Sequence, residues 1–169
     1  MGAVDYIRKP IHMYSLKVRI EVHIALMRAQ YALEKQLTES ERIKSTILSH
    51  LPGMAYSCKN DRNWTMQYVS SGCYKLTGYT QESLINNRDI SFNELIAPEY
   101  RELLWKEWQN VVKNKGDFRF EYEIITASGE RKWVLELGQG IYNDKDELEK
   151  LEGIIIDITD KKAIEDALK

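Results

Sequence analysis

Cysteine is scarce, with Cys58 and Cys73 the only two among 169 residues. Two thiols separated by fourteen residues fit a reduced, cytoplasmic compartment better than a disulfide scaffold or a zinc site. No run of eighteen apolar residues occurs, so no membrane span is expected, and the opening residues carry no signal-like pattern. A basic excess is also lacking. Lys and Arg number 24 against 26 Asp and Glu, a formal net charge of -2, which argues against nucleic acid as a partner. The phosphate loop GxxxxGK[ST], the GxSxG elbow, HExxH and CxxC are all missing. No catalytic residue and no metal ligand is therefore expected, and any catalytic domain of a parent protein is expected outside this chain.

Proline and glycine number only 3 and 9, and neither occurs from Tyr14 to Leu51. Over that stretch Leu26, Leu33, Leu37, Ile47 and Leu51 occupy the two apolar positions of one heptad register, interrupted at Ser40 and Lys44. The spacing predicts one helix of about 55 Å. That is longer than one small domain can cover, so part of its stripe is expected to meet a second chain in a homodimer. Pro52-Gly53 ends it.

The remainder reads as a mixed domain, and 43% hydrophobic content suffices for one core plus a helical extension. Strands are expected at Met54 to Cys58, Trp64 to Val69, Asp117 to Thr126, Arg131 to Tyr142 and Glu147 to Thr159. Short helices fall between the second and third strands, the first of them capped by Ser70 and Ser71, and a longer one runs from Pro98 to Lys113. The fold class expected is α+β: a five-stranded antiparallel sheet with helices on one face, preceded by a long N-terminal helix. Asp157, Thr159 and Asp160 offer caps for a last helix, and Asp157 and Thr159 are the candidate signal-output residues.

The order of elements, together with YVSSGCYKLTGYT at Tyr68 to Thr80, SGERKWV at Ser128 to Val134 and GIIIDITDKK at Gly153 to Lys162, resembles the PAS sensor family with its PAC-type C-terminal motif. Upstream, GAVDYIRKP at Gly2 to Pro10 and the pattern through Leu16, Ile20 and Ile24 resemble the last strand, Lys-Pro loop and last helix of a response-regulator receiver domain. Lys9 matches the lysine that contacts the phosphoryl group in that family. The resemblances divide the chain into a receiver remnant (1–24), a helical linker and coiled coil (25–51), a PAS domain (52–160) and the start of an output helix (161–169). They imply a two-component-type signalling module that senses a small molecule or relays a receiver signal through dimer helices. The downstream partner would be a histidine kinase or a cyclase or phosphodiesterase domain. The other reading is a ligand-free module that only sets dimer geometry.

The family register turns Phe120, Tyr122, Ile124, Val134, Glu136 and Ile155 toward the helices, which with Cys73 makes them the ligand-pocket candidates. It turns Trp133, Leu135, Leu137, Ile154, Ile156 and Ile158 outward. Trp133, Leu135, Ile154 and Ile156 thereby join Leu26, Leu33, Leu37 and Ile47 as candidates for dimer or helix packing. Glu136 has two readings. By the family register it lines the pocket and meets a polar or cationic ligand group, with Tyr122 supplying a hydroxyl; by the alternation of Trp133, Leu135 and Leu137 those three are core and Glu136 is solvated. The cofactor is unknown. The flavin-binding branch has amides where this chain has Ile124, Val134 and Ile155, and a reactive cysteine where it has Asp89, so flavin is not expected. Histidine-ligated haem is not expected either, because His12, His23 and His50 all precede the domain.

Overall fold

The computed structural model describes residues 13–169, so the Lys-Pro segment with Lys9 lies outside the described residues. The chain divides after Ser45 into two units. The first is helical throughout its described part. Its helix, α1 (Met13–His50), carries no buried residue, and Leu26, Leu33, Leu37, Ile43 and Ile47 are all exposed.

The second unit, Thr46–Lys169, holds β1 (Gly53–Cys58), β2 (Met66–Val69), α2 (Gly72–Thr77), α3 (Gln81–Leu84), α4 (Phe92–Leu95), α5 (Pro98–Asn114), β3 (Asp117–Ile125), β4 (Arg131–Tyr142), β5 (Leu148–Asp157) and α6 (Thr159–Ala167). The strands form one antiparallel sheet in the order β2-β1-β5-β4-β3. The meander β3-β4-β5 brings the last strand beside the first, so the two ends of the domain's sequence meet at the centre of the sheet. The α+β architecture expected from the sequence is the one observed.

Alternation decides the faces. Phe118, Tyr122 and Ile124 on β3, Val134 and Glu136 on β4, Leu151 and Ile155 on β5, and Met54, Tyr56 and Cys58 on β1 are buried. They pack with Leu104 and Trp108 of α5, Phe92 and Leu95 of α4, and Leu84 of α3 into one core. On the other face Trp133, Leu135, Leu137, Ile154 and Ile156 are half-buried.

Three local expectations fail. Ile158, expected on the outer face, is buried at 7% exposure, because β5 ends at Asp157 and strand alternation stops applying there. Its N–H donates to Trp133 O as the chain turns into α6. Ser70 does not cap α2. Its hydroxyl accepts the Ala55 N–H at 2.9 Å instead, tying β1 to the chain that follows β2. The residue at the cap position, Ser71, has helical backbone angles and makes no side-chain cap. The second strand begins at Met66 rather than Trp64, whose φ of 50° belongs to the preceding turn.

Candidate functional site

The polar centre of the core is Glu136, 4% exposed, on the inner face of β4. Its Oε1 accepts the Tyr56 hydroxyl at 2.5 Å and the Trp108 indole N–H at 3.2 Å, and its Oε2 accepts the Tyr122 hydroxyl at 2.7 Å. Three elements, β1, β3 and α5, thus converge on one carboxyl group. Among the described residues no lysine, arginine or histidine pairs with it. Burial pushes the Glu136 carboxyl above its ordinary value, and the three donors offset this only in part. The Tyr56 and Tyr122 hydroxyls are pushed well up, first by burial and then by the neighbouring carboxylate.

Tyr56 and Trp108 reach Glu136 because the sheet has a hollow there. Gly138 on β4 and Gly153 on β5 are directly paired. A Cβ on Gly138 would lie 2.8 Å from the Trp108 ring, and one on Gly153 would lie 2.9 Å from the Tyr56 hydroxyl oxygen and 2.3 Å from the Leu137 carbonyl oxygen. The two missing side chains make the space these aromatics occupy. Trp108 also stacks on Phe118, with ring centroids 4.1 Å apart and planes 7° from parallel, and leans on Trp64 at 6.4 Å.

The space left beside Glu136 is about 10 Å³, lined by residues that include Tyr56, Cys58, Trp64, Phe92, Trp108 and Ile155. That is the scale of one water molecule. Of the candidates read from the sequence, Glu136 and Ile155 line this space, and Tyr122 bonds to Glu136. Ile124 and Val134 are buried nearby on the same face, and Phe120 is half-buried beside Tyr122. Cys73 is fully buried elsewhere, its thiol donating to Tyr79 O at 3.6 Å. Neither Tyr56 nor Trp108 is assigned a site role from the sequence; the available signal is the pair of glycines, Gly138 and Gly153, on the inner face.

At the end of the sheet where β5 gives way to α6, Asp157 Oδ1 accepts the Thr159 N–H at 3.0 Å and the Thr159 hydroxyl at 2.7 Å. The same Thr159 oxygen accepts the Trp133 N–H at 3.1 Å, and Asp157 also faces Lys132 at 3.5 Å. Although burial opposes it, these contacts hold the Asp157 carboxyl below its ordinary value. One turn on, Lys162 pairs with Glu121 at 2.5 Å and lies 5.0 Å from the Trp133 ring centre. A groove of about 700 Å³ opens beside this junction, lined in part by Leu51, Ser71, Lys75, Lys132, Asp157 and Asp160. Glu121→Gln combined with Lys162→Gln is expected to speed amide hydrogen exchange in the first turn of α6 several-fold. The melting temperature should stay within about 2 °C, since the pair is partly solvated.

Among the described residues no group of three His, Cys, Asp or Glu side chains could hold a metal ion, and no helix is long and apolar enough to cross a membrane. Residues 66–155, more than half of the chain, match the PAS fold family. A methyl sulfide methyltransferase-associated sensor of Methanosarcina acetivorans is 27% identical over 132 residues; the match covers 78% of this chain but only 13% of that protein. Among solved structures, a sensory box histidine kinase/response regulator of Burkholderia thailandensis is similar with a TM-score of 0.58 and 26% identity, covering 72% of this chain and 88% of that one. The PAS domain of a protein from Colwellia psychrerythraea shares the fold with a TM-score of 0.60 at 22% identity, over 73% of this chain and 98% of that one. With the sheet order, the helices on one face and the match across β2 to β5, the chain belongs to the PAS fold family.

Proposed function

We propose that this chain is the PAS module of a longer signalling protein and that it relays a signal between dimer helices, entering along α1 and leaving along α6. The observation that carries the relay reading is the filled interior. Space for about one water beside Glu136 is too little for an organic ligand at that point, while both helices bordering the domain are largely solvent-facing. Signalling proteins of the kinase and diguanylate cyclase kinds contain structural neighbours of this fold, which supports an output domain of such a kind after α6. GIIIDITDKK, read as a PAC-type motif, is the junction itself.

The surface of α1 supports two further parts of the reading. At 100° per residue, Val18, Val22, Leu26, Leu33, Ile43 and Ile47 share one side, with Leu37 at its margin. These are exposed apolar residues over about 45 Å, a length that suits a second copy of the same helix. Ile20, Ile24, Met27 and Tyr31 lie on roughly the opposite side and are also exposed, whereas Glu34, Lys35, Thr38 and Ser45 continue that side as polar residues. An apolar back confined to the first half of the helix fits the receiver-remnant assignment, in which that half packs on a preceding domain. The apolar outer sheet face, with Trp133, Leu135, Ile154 and Ile156, is the second proposed packing surface.

Analytical ultracentrifugation tests the dimer. The unmodified chain is expected to sediment as a dimer at tens of micromolar, Leu33→Lys as a monomer, and Ile24→Lys still as a dimer. A monomeric unmodified chain, or a dimeric Leu33→Lys variant, contradicts the reading.

A further inference from the structure

We propose that the buried site at Glu136 takes a proton as its ligand, and that proton binding there rearranges the hydrogen bonds joining β1, β3 and α5. The ionised carboxylate is an acceptor only, and the site is arranged for that form, with Tyr56, Tyr122 and Trp108 all donating to it. The protonated carboxyl must itself donate. Its nearest acceptors are the two tyrosine oxygens, so one tyrosine has to turn its own hydrogen away, and the small space beside Tyr56 and Glu136 is where that change has room. Each protonation state therefore has its own hydrogen-bond pattern, and neither includes a cation to fix the charge.

The groups facing Glu136 leave it as the one that titrates. β1 contributes Tyr56 and Cys58, β3 contributes Tyr122, and α5 contributes the non-ionising Trp108. β2, α4 and β5 contribute Met66, Phe92 and Ile155, which carry no titratable group. Asp61 is felt at Cys58, and burial raises that thiol as it raises both tyrosines, so all three stay neutral through the range in which a raised carboxyl changes charge. Because the folded-state value of Glu136 lies above its unfolded value, its contribution to stability is fully present below the ordinary carboxylate range. It is lost as pH rises through the folded value.

A route outward exists on β3, where Tyr122 on the inner face adjoins Glu121 on the outer face, the partner of Lys162 in α6. That last step rests on the relay reading above; proton binding at Glu136 does not.

The test is an NMR titration of the full chain from about pH 4 to about pH 9, following the Glu136 side-chain carboxyl carbon and the Trp108 indole N–H together. The carboxyl carbon is expected to titrate with a midpoint above the ordinary carboxylate value, and the Trp108 resonance to move with the same midpoint. In Glu136→Gln the Trp108 resonance is expected to be flat over the range; if that variant fails to fold, the titration of the unmodified protein decides alone. A Glu136 carbon that does not titrate, one that titrates at or below the ordinary value, or a Trp108 signal that does not follow it overturns the proposal. Amide exchange in α6 at pH values either side of the midpoint separates the two readings. An α6 unchanged while the core titrates counts against the relay and leaves proton binding standing.

Discussion

Replacing Trp108 by alanine is expected to lower the stability of the PAS unit by about 3–5 kcal/mol, a fall of about 10–20 °C in melting temperature. Trp108 is 1% exposed, stacks on Phe118 and bonds to Glu136, so the substitution removes packing and polar satisfaction at once. The cavity left would adjoin the space already beside Glu136, and it would leave that carboxyl one donor short in a buried setting. Trp108→Phe separates the two contributions. It keeps most of the stacking and loses the N–H, and is expected to cost about 1.5–3 kcal/mol. Chemical denaturation read by far-UV circular dichroism checks both. Equal losses for the two variants would assign the whole effect to the hydrogen bond; no loss for either would place Trp108 outside the core.

Gly153→Ala is expected to cost more than about 3 kcal/mol or to prevent folding of the unit, although it adds only one methyl group. The added Cβ would meet the Leu137 carbonyl oxygen at 2.3 Å and the Tyr56 hydroxyl oxygen at 2.9 Å. The carbonyl belongs to the neighbouring strand and cannot yield without breaking the β4-β5 ladder, and the hydroxyl cannot yield without leaving Glu136. Gly116→Ala is the control, since nothing lies within 4 Å of the place its added methyl would take, and a change within about 0.5 kcal/mol is expected. Thermal melts of the pair check the contrast, and similar melting temperatures for both would remove the account of the Gly138–Gly153 hollow.

The sequence patterns made the sheet and its helices legible because they are local. Alternation in β3 to β5, Pro98 at the first turn of α5 and Pro52-Gly53 after α1 each mark an element without reference to its neighbours. The faces were harder. Trp133, Leu135 and Leu137 are more apolar than Val134 and Glu136, so periodicity alone points the wrong side of β4 inward; the family register turned Glu136 correctly toward the helices. The full Glu136 cluster was not legible. Tyr56 lies 80 positions before Glu136 and meets it because the strand order sets β1 beside β5 and β5 beside β4, and because two glycines clear the way. Ser70 and Ile158 show the complementary failure, in which a locally sound rule is overridden by a tertiary hydrogen bond to Ala55 and by the end of a strand.

The measurement that bears most directly on the relay reading is native mass spectrometry of freshly purified protein beside a denatured run. A mass of twice 19.8 kDa with no excess over the denatured chain is the result the account predicts. A bound small molecule released on denaturation would contradict the filled core, and a monomer would contradict the helix-to-helix route through which the domain is proposed to pass its signal.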